Sequence, residues 1–136
     1  MSTIVDLVAA NKNLSTLLRG VKATDLEKEL SLTGPFTVFA PSERAFGKLP
    51  EGELPFLLRP ENKVELTTLL SSHIVSGKNN FNDFQDGQQL KTINGKDLQV
   101  KVTNGNVSIN GSTILGRDAD ASNGVVHSLD SVISGN

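Results

Sequence analysis

The spacing of apolar residues changes once along this 136-residue chain, and that change limits the folds it can adopt. Up to about residue 73, apolar residues recur every three or four positions, which is the period of an amphipathic helix. Beyond that point they alternate with polar residues, as in a strand with one buried face. Helices segregated in sequence from an antiparallel sheet make an α+β domain. The length fits one such domain over residues 1–136.

The first half of the chain is predicted to be mainly helical. Leu14, Leu17 and Val21 share one face of a helix between residues 13 and 22. A second helix is predicted over residues 61–72. Its buried side chains are predicted from the apolar spacing to be Val64, Leu69 and, as a further candidate, Leu66.

Between these helices, one short run favours a β-strand. Residues 36–40 are apolar or β-favouring throughout, so we expect a buried strand. Pro41 ends the run, and the Ser42 hydroxyl can cap a helix that turns Ala45 and Phe46 inward.

The second half contains several Asn-Gly pairs between apolar runs. Both residues tolerate the positive φ that a tight hairpin turn requires. The first three pairs therefore predict an antiparallel meander, and residues 125–133 are predicted to close the chain as one long strand. The pairs begin at Asn94, Asn104, Asn110 and Asn123.

Composition excludes several classes of site. The chain has no cysteine, so disulfides, thiolate metal sites and thiol catalysis are excluded. Its formal charge of -2, without clustered Lys or Arg, argues against binding to nucleic acid. No apolar run approaches the length of a membrane span, so no membrane insertion is expected. Residues 1–6 lack the blocks of a signal peptide.

Two segments carry a resemblance to a known family. Residues 34–46 (GPFTVFAPSERAF) resemble the first signature of fasciclin-type (FAS1) domains, in which a strand passes through Phe-Ala-Pro into a short helix. Residues 123–133 (NGVVHSLDSVI) resemble the second signature. The two lie about eighty residues apart and in the family's order. The segment 69–77 and the helical opening also fit, so the resemblance covers essentially the whole chain, most like single-domain bacterial members.

The resemblance implies a FAS1 fold, with N-terminal helices packed on a twisted antiparallel β-sandwich or wedge. It also implies a non-enzymatic module for adhesion or partner binding that is secreted, periplasmic or at the cell surface. No cofactor is expected. The expected partner is a cell-surface protein or polysaccharide, and weak association between copies of the domain is a further expectation. The signatures themselves are expected to be structural. The residues concerned are Phe39, Ala40, Pro41, Phe46, Asn123, Gly124, His127 and Asp130.

Two positions depart from family members implicated in adhesion. Those members often carry Tyr before the histidine that matches His73, whereas this chain has Ser72. The Asp-Ile pair linked to integrin recognition falls on Asp118 and Ala119, so the isoleucine is lost. Both changes remove apolar contact area. General adhesive or partner binding remains the implied role.

Two kinds of contact region are predicted on the surface. Leu54, Phe56, Leu57 and Leu58 form an apolar segment between charges and prolines, which is either a partner-binding patch or a cap on the core. The surface near Ser72, His73 and Asp118 is the second region.

Other functions were weighed from the same residues. A structural or stress-related extracytoplasmic domain is one alternative. Ser42, His73 and Asp118 include the residue types of a hydrolytic triad, but no Gly-x-Ser-x-Gly motif accompanies them. His73 and His127, with a carboxylate such as Asp118 or Asp130, lack the spacing of a metal site, so structural roles are predicted for both histidines.

Overall fold

The structure, a computed structural model, describes residues 3–24, 26–30, 34–49 and 52–133, and of residues 116–118 only the backbone. The α-helices within these residues are α1 (Ile4–Ala10), α2 (Ser15–Ala23), α3 (Leu26–Glu29), α4 (Glu43–Gly47), α5 (Glu53–Leu57) and α6 (Lys63–Ser71). The strands are β1 (Phe36–Pro41), β2 (Ile74–Ser76), β3 (Gln89–Lys91), β4 (Asp97–Thr103), β5 (Asn106–Ile109), β6 (Ser112–Ala121) and β7 (Gly124–Leu129). Single 3₁₀ turns occur at Lys12–Leu14, Pro60–Asn62 and Phe81–Asp83.

The helical first half confirms the predicted pattern with one exception. Leu17 and Val21 of α2 are buried, and the Ser42 hydroxyl caps α4 by accepting from Ala45 N–H at 3.2 Å. In α6, however, Val64 is 76% exposed, while Leu66 and Leu70 are buried. The prediction that Val64 is buried was wrong because α6 turns Leu66 and Leu70 towards α2 and the core, and Val64 lies on nearly the opposite side of the helix.

The strands form one sheet in the order β2-β1-β7-β6-β5-β4-β3. Its two end strands approach each other, because Val75 forms a bridge with Thr92 and Ile93 N–H donates to the Ile74 carbonyl at 2.9 Å. The sheet is therefore rolled almost into a barrel. Apart from β1, which lies between α3 and α4, the α-helices precede the strands along the chain, and this arrangement confirms the α+β class.

One pair of strands is parallel, so the predicted antiparallel sandwich is corrected to a mixed sheet. β1 pairs with β7 in parallel, with Phe36 opposite Gly124 and Pro41 opposite Leu129. Parallel neighbours need a long crossover, and residues 42–123 supply it. β1 is covered on both faces, since Val38 and Phe39 belong to different cores.

Two hydrophobic cores lie on either side of β1. The first lies between the helices and the sheet and includes Ile4, Val8, Leu17, Leu30, Val38, Leu66, Leu70 and Val126. The second fills the rolled sheet and includes Phe39, Phe84, Leu98, Val100, Ile109, Ile114, Leu129 and Ile133. Each face of β1 thus joins a different half of the molecule.

The predicted meander is present. Asn104-Gly105 and Asn110-Gly111 form two-residue turns, and both residues of each pair have positive φ. The chain around Asn94 forms a longer loop, while the turn before β7 consists of Ser122 and Asn123, so Gly124 already belongs to the strand.

The closing strand is shorter than predicted. β7 ends at Leu129, because the backbone and side chain of Asp130 both bond to Thr113 and the Ser131 hydroxyl bonds to Ser112. Ile133 nevertheless reaches the second core, where it is 1% exposed.

Candidate functional site

Most signature side chains lie inside the domain. Phe39 and Ala40 are fully buried in β1, and Pro41 and Phe46 are also buried. Such side chains determine how β1 enters α4, and they offer no surface to a partner. The prediction that the first signature is structural agrees with these positions.

Asn123 joins three chain segments that are distant in sequence. Its Oδ1 accepts from Ile4 N–H at 3.0 Å, at the start of α1, and its Nδ2 donates to the Leu30 carbonyl. Its own carbonyl accepts from Phe36 N–H at 3.0 Å, at the start of β1. A buried amide that satisfies otherwise unpaired backbone groups stabilises the fold, so Asn123 connects the helical layer to the sheet.

The two remaining signature residues of the closing strand also bond to the backbone. Asp130 Oδ1 accepts from Thr113 N–H at 2.9 Å, which ties the end of β7 to β6. His127 is fully buried, and its Nε2 donates to the Asn79 carbonyl at 2.8 Å. The His127 ring stacks on Phe39 at 5.9 Å and meets the edge of Phe84 at 5.5 Å. Both residues therefore have structural partners.

His73 is buried between α6 and the end of the chain. Its Nε2 accepts from Ile133 N–H at 2.9 Å, which leaves Nδ1 to carry the proton and donate to the Leu69 carbonyl at 2.9 Å. Burial away from water lowers the pKa of His73 from 6.5 to about 4, although the bond to the Leu69 carbonyl opposes this. The neutral ring therefore holds the last described residue against α6.

This geometry predicts that acid destabilises the domain. The folded pKa of His73 is about 4 and the unfolded pKa is 6.5, so the unfolded chain takes up the proton first. The contribution of His73 is fully present above pH 6.5 and is lost as pH falls towards 4, by roughly 3 kcal/mol at about 1.4 kcal/mol per pKa unit. Urea unfolding at a series of pH values measures this slope. A flat free energy of unfolding across that window would contradict it.

Ser72 occupies the position where adhesive family members often have Tyr. Its hydroxyl donates to the Thr68 carbonyl at 3.0 Å and accepts from Asn94 Nδ2 at 2.8 Å. Ser72 and His73 are each 1% exposed. Neither side chain reaches solvent, so the structure does not fit the prediction that they contact a partner. They connect α6 to the loop after β3 and to the end of the chain instead.

The hydrolytic alternative does not fit the structure either. A general base needs a ring nitrogen free to take a proton, yet both ring nitrogens of His73 are bonded to the backbone. Ser42 Oγ is the cap of α4. Asp118 lies on β6, but its side chain is outside the described part of the structure.

Among the described residues, no three His, Asp or Glu side chains come together as a metal site requires. The two histidines use their rings for the backbone contacts given above.

The apolar segment Leu54–Leu58 divides into buried and exposed side chains. Leu57 is 7% exposed and belongs to the first core, and Leu54 and Leu58 are half-buried against it. Phe56 points outward with 47% of its surface exposed, and Pro55 beside it is exposed as well. The segment thus caps the core and leaves one aromatic ring for a partner.

A second exposed apolar side chain comes from an irregularity in β6. Ile114 pairs with Leu129 and Gly116 with Ser128, so Leu115 is an extra residue on its strand. A β-bulge of this kind redirects a side chain away from the regular alternation. Ile114 is buried, whereas Leu115 is 61% exposed. A second register shift follows between Gly116 and Ala119.

Leu115 lies between two surface clefts. The larger, of about 450 Å³, is lined by Asn11, Asn13, Leu14, Ser42, Arg44, Leu115 and Ser128. The smaller, of about 220 Å³, is lined by Phe81, Gly105, Asn106, Ile114 and Leu115. A ligand that crosses Leu115 would contact both. We call this surface the Leu115 cleft.

Sequence analysis did not identify the Leu115 cleft. Its lining comes from the turn after α1, the end of β1, the start of α4, β6 and β7. One indication was present: Ile114 and Leu115 are adjacent apolar residues in a strand, so alternation places one of them outside. The approach of Arg44 and Asn13 to that point depends on the tertiary fold.

Comparison with known proteins agrees with this fold. The fasciclin domain model matches residues 12–135. Protein sll1483 of Synechocystis is 47% identical over 96% of this chain and 72% of its own, and protein sll1735 of the same organism is 34% identical over 98% of both. The structure also resembles a FAS1 domain pair from the insect cell adhesion molecule fasciclin I, with a TM-score of 0.88 at 17% identity over 98% of this chain and 51% of that one.

The rolled mixed sheet, the helical layer and the two buried signatures define a domain of the FAS1 fold. The chain belongs to the fasciclin domain family. The resemblance to single-domain bacterial members is confirmed by the whole-length match to sll1735.

Proposed function

We propose that this domain is a non-catalytic interaction module that functions in adhesion. It binds a partner at a surface outside the cytoplasm. The observation that carries the proposal is the position of Leu115, which the bulge in β6 exposes between two open clefts while the signature side chains lie inside. An exposed apolar group rimmed by polar residues is typical of a binding surface.

The family supports the adhesive role. The related FAS1 pair comes from a protein described as a cell adhesion molecule. Within the described residues, no helix is both long and apolar enough to cross a membrane. Both histidines bond through their rings to the backbone. The side chains at the surface therefore suit binding better than catalysis. A single small cleft gives weak affinity, and many copies on one surface would raise it by avidity.

Phe56 provides a second candidate surface. Its ring is exposed at the end of α5, beside the half-buried Leu54 and Leu58. An aromatic ring of this kind is a common anchor in protein interfaces. The two surfaces involve different segments of the chain, so substitutions distinguish them.

Attachment of the immobilised domain to the cells that produce it tests the proposal. We expect Leu115→Ser to lower attachment several-fold because it removes the exposed apolar group at the bulge, with circular dichroism unchanged. Phe56→Ala tests the second surface in the same assay. Val64→Ser is the matched control, since Val64 is 76% exposed and lines neither cleft. Attachment that survives both Leu115→Ser and Phe56→Ala would contradict the proposed function.

A further inference from the structure

The Leu115 cleft contains one cation, Arg44, that has no partner among the described residues. Arg44 follows the Ser42 cap and is exposed on α4. Among the described residues it makes no hydrogen bond or ion pair, whereas its neighbour Glu43 is bonded to Thr16. A guanidinium presents a planar fork of donors that matches a carboxylate. Among the described side chains that line the larger cleft, Arg44 is the one with a charge, and a group with a single negative charge would balance it.

The remaining polar lining is made of neutral groups that both donate and accept. Asn11 and Asn13 supply carboxamides, and Ser42 and Ser128 supply hydroxyls. The Asn13 side chain has no hydrogen-bond partner among the described residues, and Asn11 Oδ1 accepts only from Asn13 N–H at 2.9 Å. Amides and hydroxyls of this kind suit sugar hydroxyls, each of which is also donor and acceptor.

The apolar part of the lining suits a sugar better than a protein. A protein partner is usually anchored by large apolar or aromatic side chains that enter a desolvated pocket. In the larger cleft, the exposed apolar surface comes from Leu115, because Leu14 is 3% exposed. One aliphatic side chain can cover the C–H face of a ring without forming such a pocket. The smaller cleft beyond Leu115 has no charged side chain among its described lining residues, so it can take the next sugar of the same polymer with the carboxylate of that sugar directed to solvent.

We propose that the Leu115 cleft binds an acidic polysaccharide, with Arg44 paired to a sugar carboxylate and Leu115 packed on the ring. This inference rests on the proposed function and names the class of its partner. The neutral carboxamides and hydroxyls orient the sugar, and Arg44 selects charged over neutral polymers. Because this pair is exposed, binding weakens as salt is added.

The test is a titration of the ¹⁵N-labelled domain, followed by the backbone amide resonances. The ligand is a linear trimer of galacturonic acid, and its methyl ester is the matched neutral ligand of the same shape. We expect the acid to shift the amides of Asn13, Arg44 and Leu115, and the ester to bind about tenfold more weakly. Arg44→Gln is expected to lower affinity for the acid by about tenfold and to remove the preference over the ester.

Controls separate this site from general charge attraction. Arg59→Gln makes the same change on an exposed arginine that lines a different cleft, and it should alter affinity by less than about twofold. An acetylated Glu-Gly-Glu peptide is the third ligand. Equal binding of acid and ester, equal effects of the two arginine substitutions, or tighter binding of the peptide would overturn the proposal.

The outcome also distinguishes this inference from the proposed function. If cells attach through Leu115 but Arg44→Gln binds the trimer normally, the ligand class is wrong and the interaction module stands. If the trimer binds through Arg44 but cells do not attach, the cleft is a sugar site without an adhesive role.

Discussion

Gly124→Ala should prevent stable folding of this domain. Gly124 begins β7 opposite Phe36 of β1, and a Cβ added there would lie 2.0 Å from the Phe36 carbonyl oxygen and 2.8 Å from Ile4 Cδ1. Backbone cannot move aside as a flexible side chain can, so the parallel strands β1 and β7 must separate. We expect the free energy of unfolding to fall by more than about 4 kcal/mol, which is a large part of the stability of an ordinary domain. Thermal unfolding followed by circular dichroism measures the loss.

Gly47→Ala is the matched control for this substitution. Gly47 is the last residue of α4, and a Cβ there would have no neighbour within 4 Å. Alanine also has the higher helix propensity, so we expect unchanged or slightly raised stability, by up to about 1 kcal/mol. A Gly124→Ala variant as stable as Gly47→Ala would show that β1 and β7 do not approach as closely as described.

His73→Ala should destabilise the domain by about 3 to 4 kcal/mol. The substitution empties a buried site, leaves Ile133 N–H without its partner and removes the His73 bond to Leu69 C=O, which keeps its bond from Ser72 N–H. The segment after Leu129 then loses its link to α6. Urea unfolding at neutral pH measures the change.

His73→Gln tests the chemical reason for that loss. Glutamine retains a polar group near one ring nitrogen, so the destabilisation at neutral pH should be smaller than for alanine. Glutamine does not titrate, so the difference in stability between the parent and this variant should narrow as pH falls from 6.5 towards 4. A difference that stays constant with pH would rule out a neutral, buried His73 as the acid-sensitive group.

These expectations change how a binding assay on His73 must be interpreted. Sequence analysis placed His73 in a contact region, where alanine would reduce binding in a folded protein. Since the ring is buried, reduced binding by His73→Ala reports loss of structure. Under the proposed function, Leu115 and Arg44 are the positions where a substitution would report contact with a partner.

Sequence analysis predicted elements more accurately than the way they pair. The strand at residues 36–40, the cap at Ser42 and the turns at Asn104 and Asn110 follow from local preferences, and all are present. The apolar spacing predicted that Val64 is buried. In a short helix such as α6, however, the apolar residues fit more than one helical face. Packing against α2 decides which face is buried.

The candidate site was less predictable than the fold. Phe56 was identified correctly as an apolar residue at the surface, while Leu57 from the same segment belongs to the core. Alternation with the buried Ile114 turns Leu115 outward, and the extra residue of β6 relative to β7 decides where on the surface it lies. Nothing local to residues 112–121 specifies where that bulge forms, since it depends on the register of a partner strand.

The α+β class, the family and the positions of most turns follow from the amino-acid sequence, because these depend on periodicity, on the signature residues and on residues that tolerate special backbone angles. The parallel pairing of β1 and β7, the internal position of both histidines and the cleft shared by Arg44 and Leu115 depend on how the chain folds in three dimensions. Such relations join residues far apart in the chain, and their energies depend on burial and on shared hydrogen bonds that form when the two cores close.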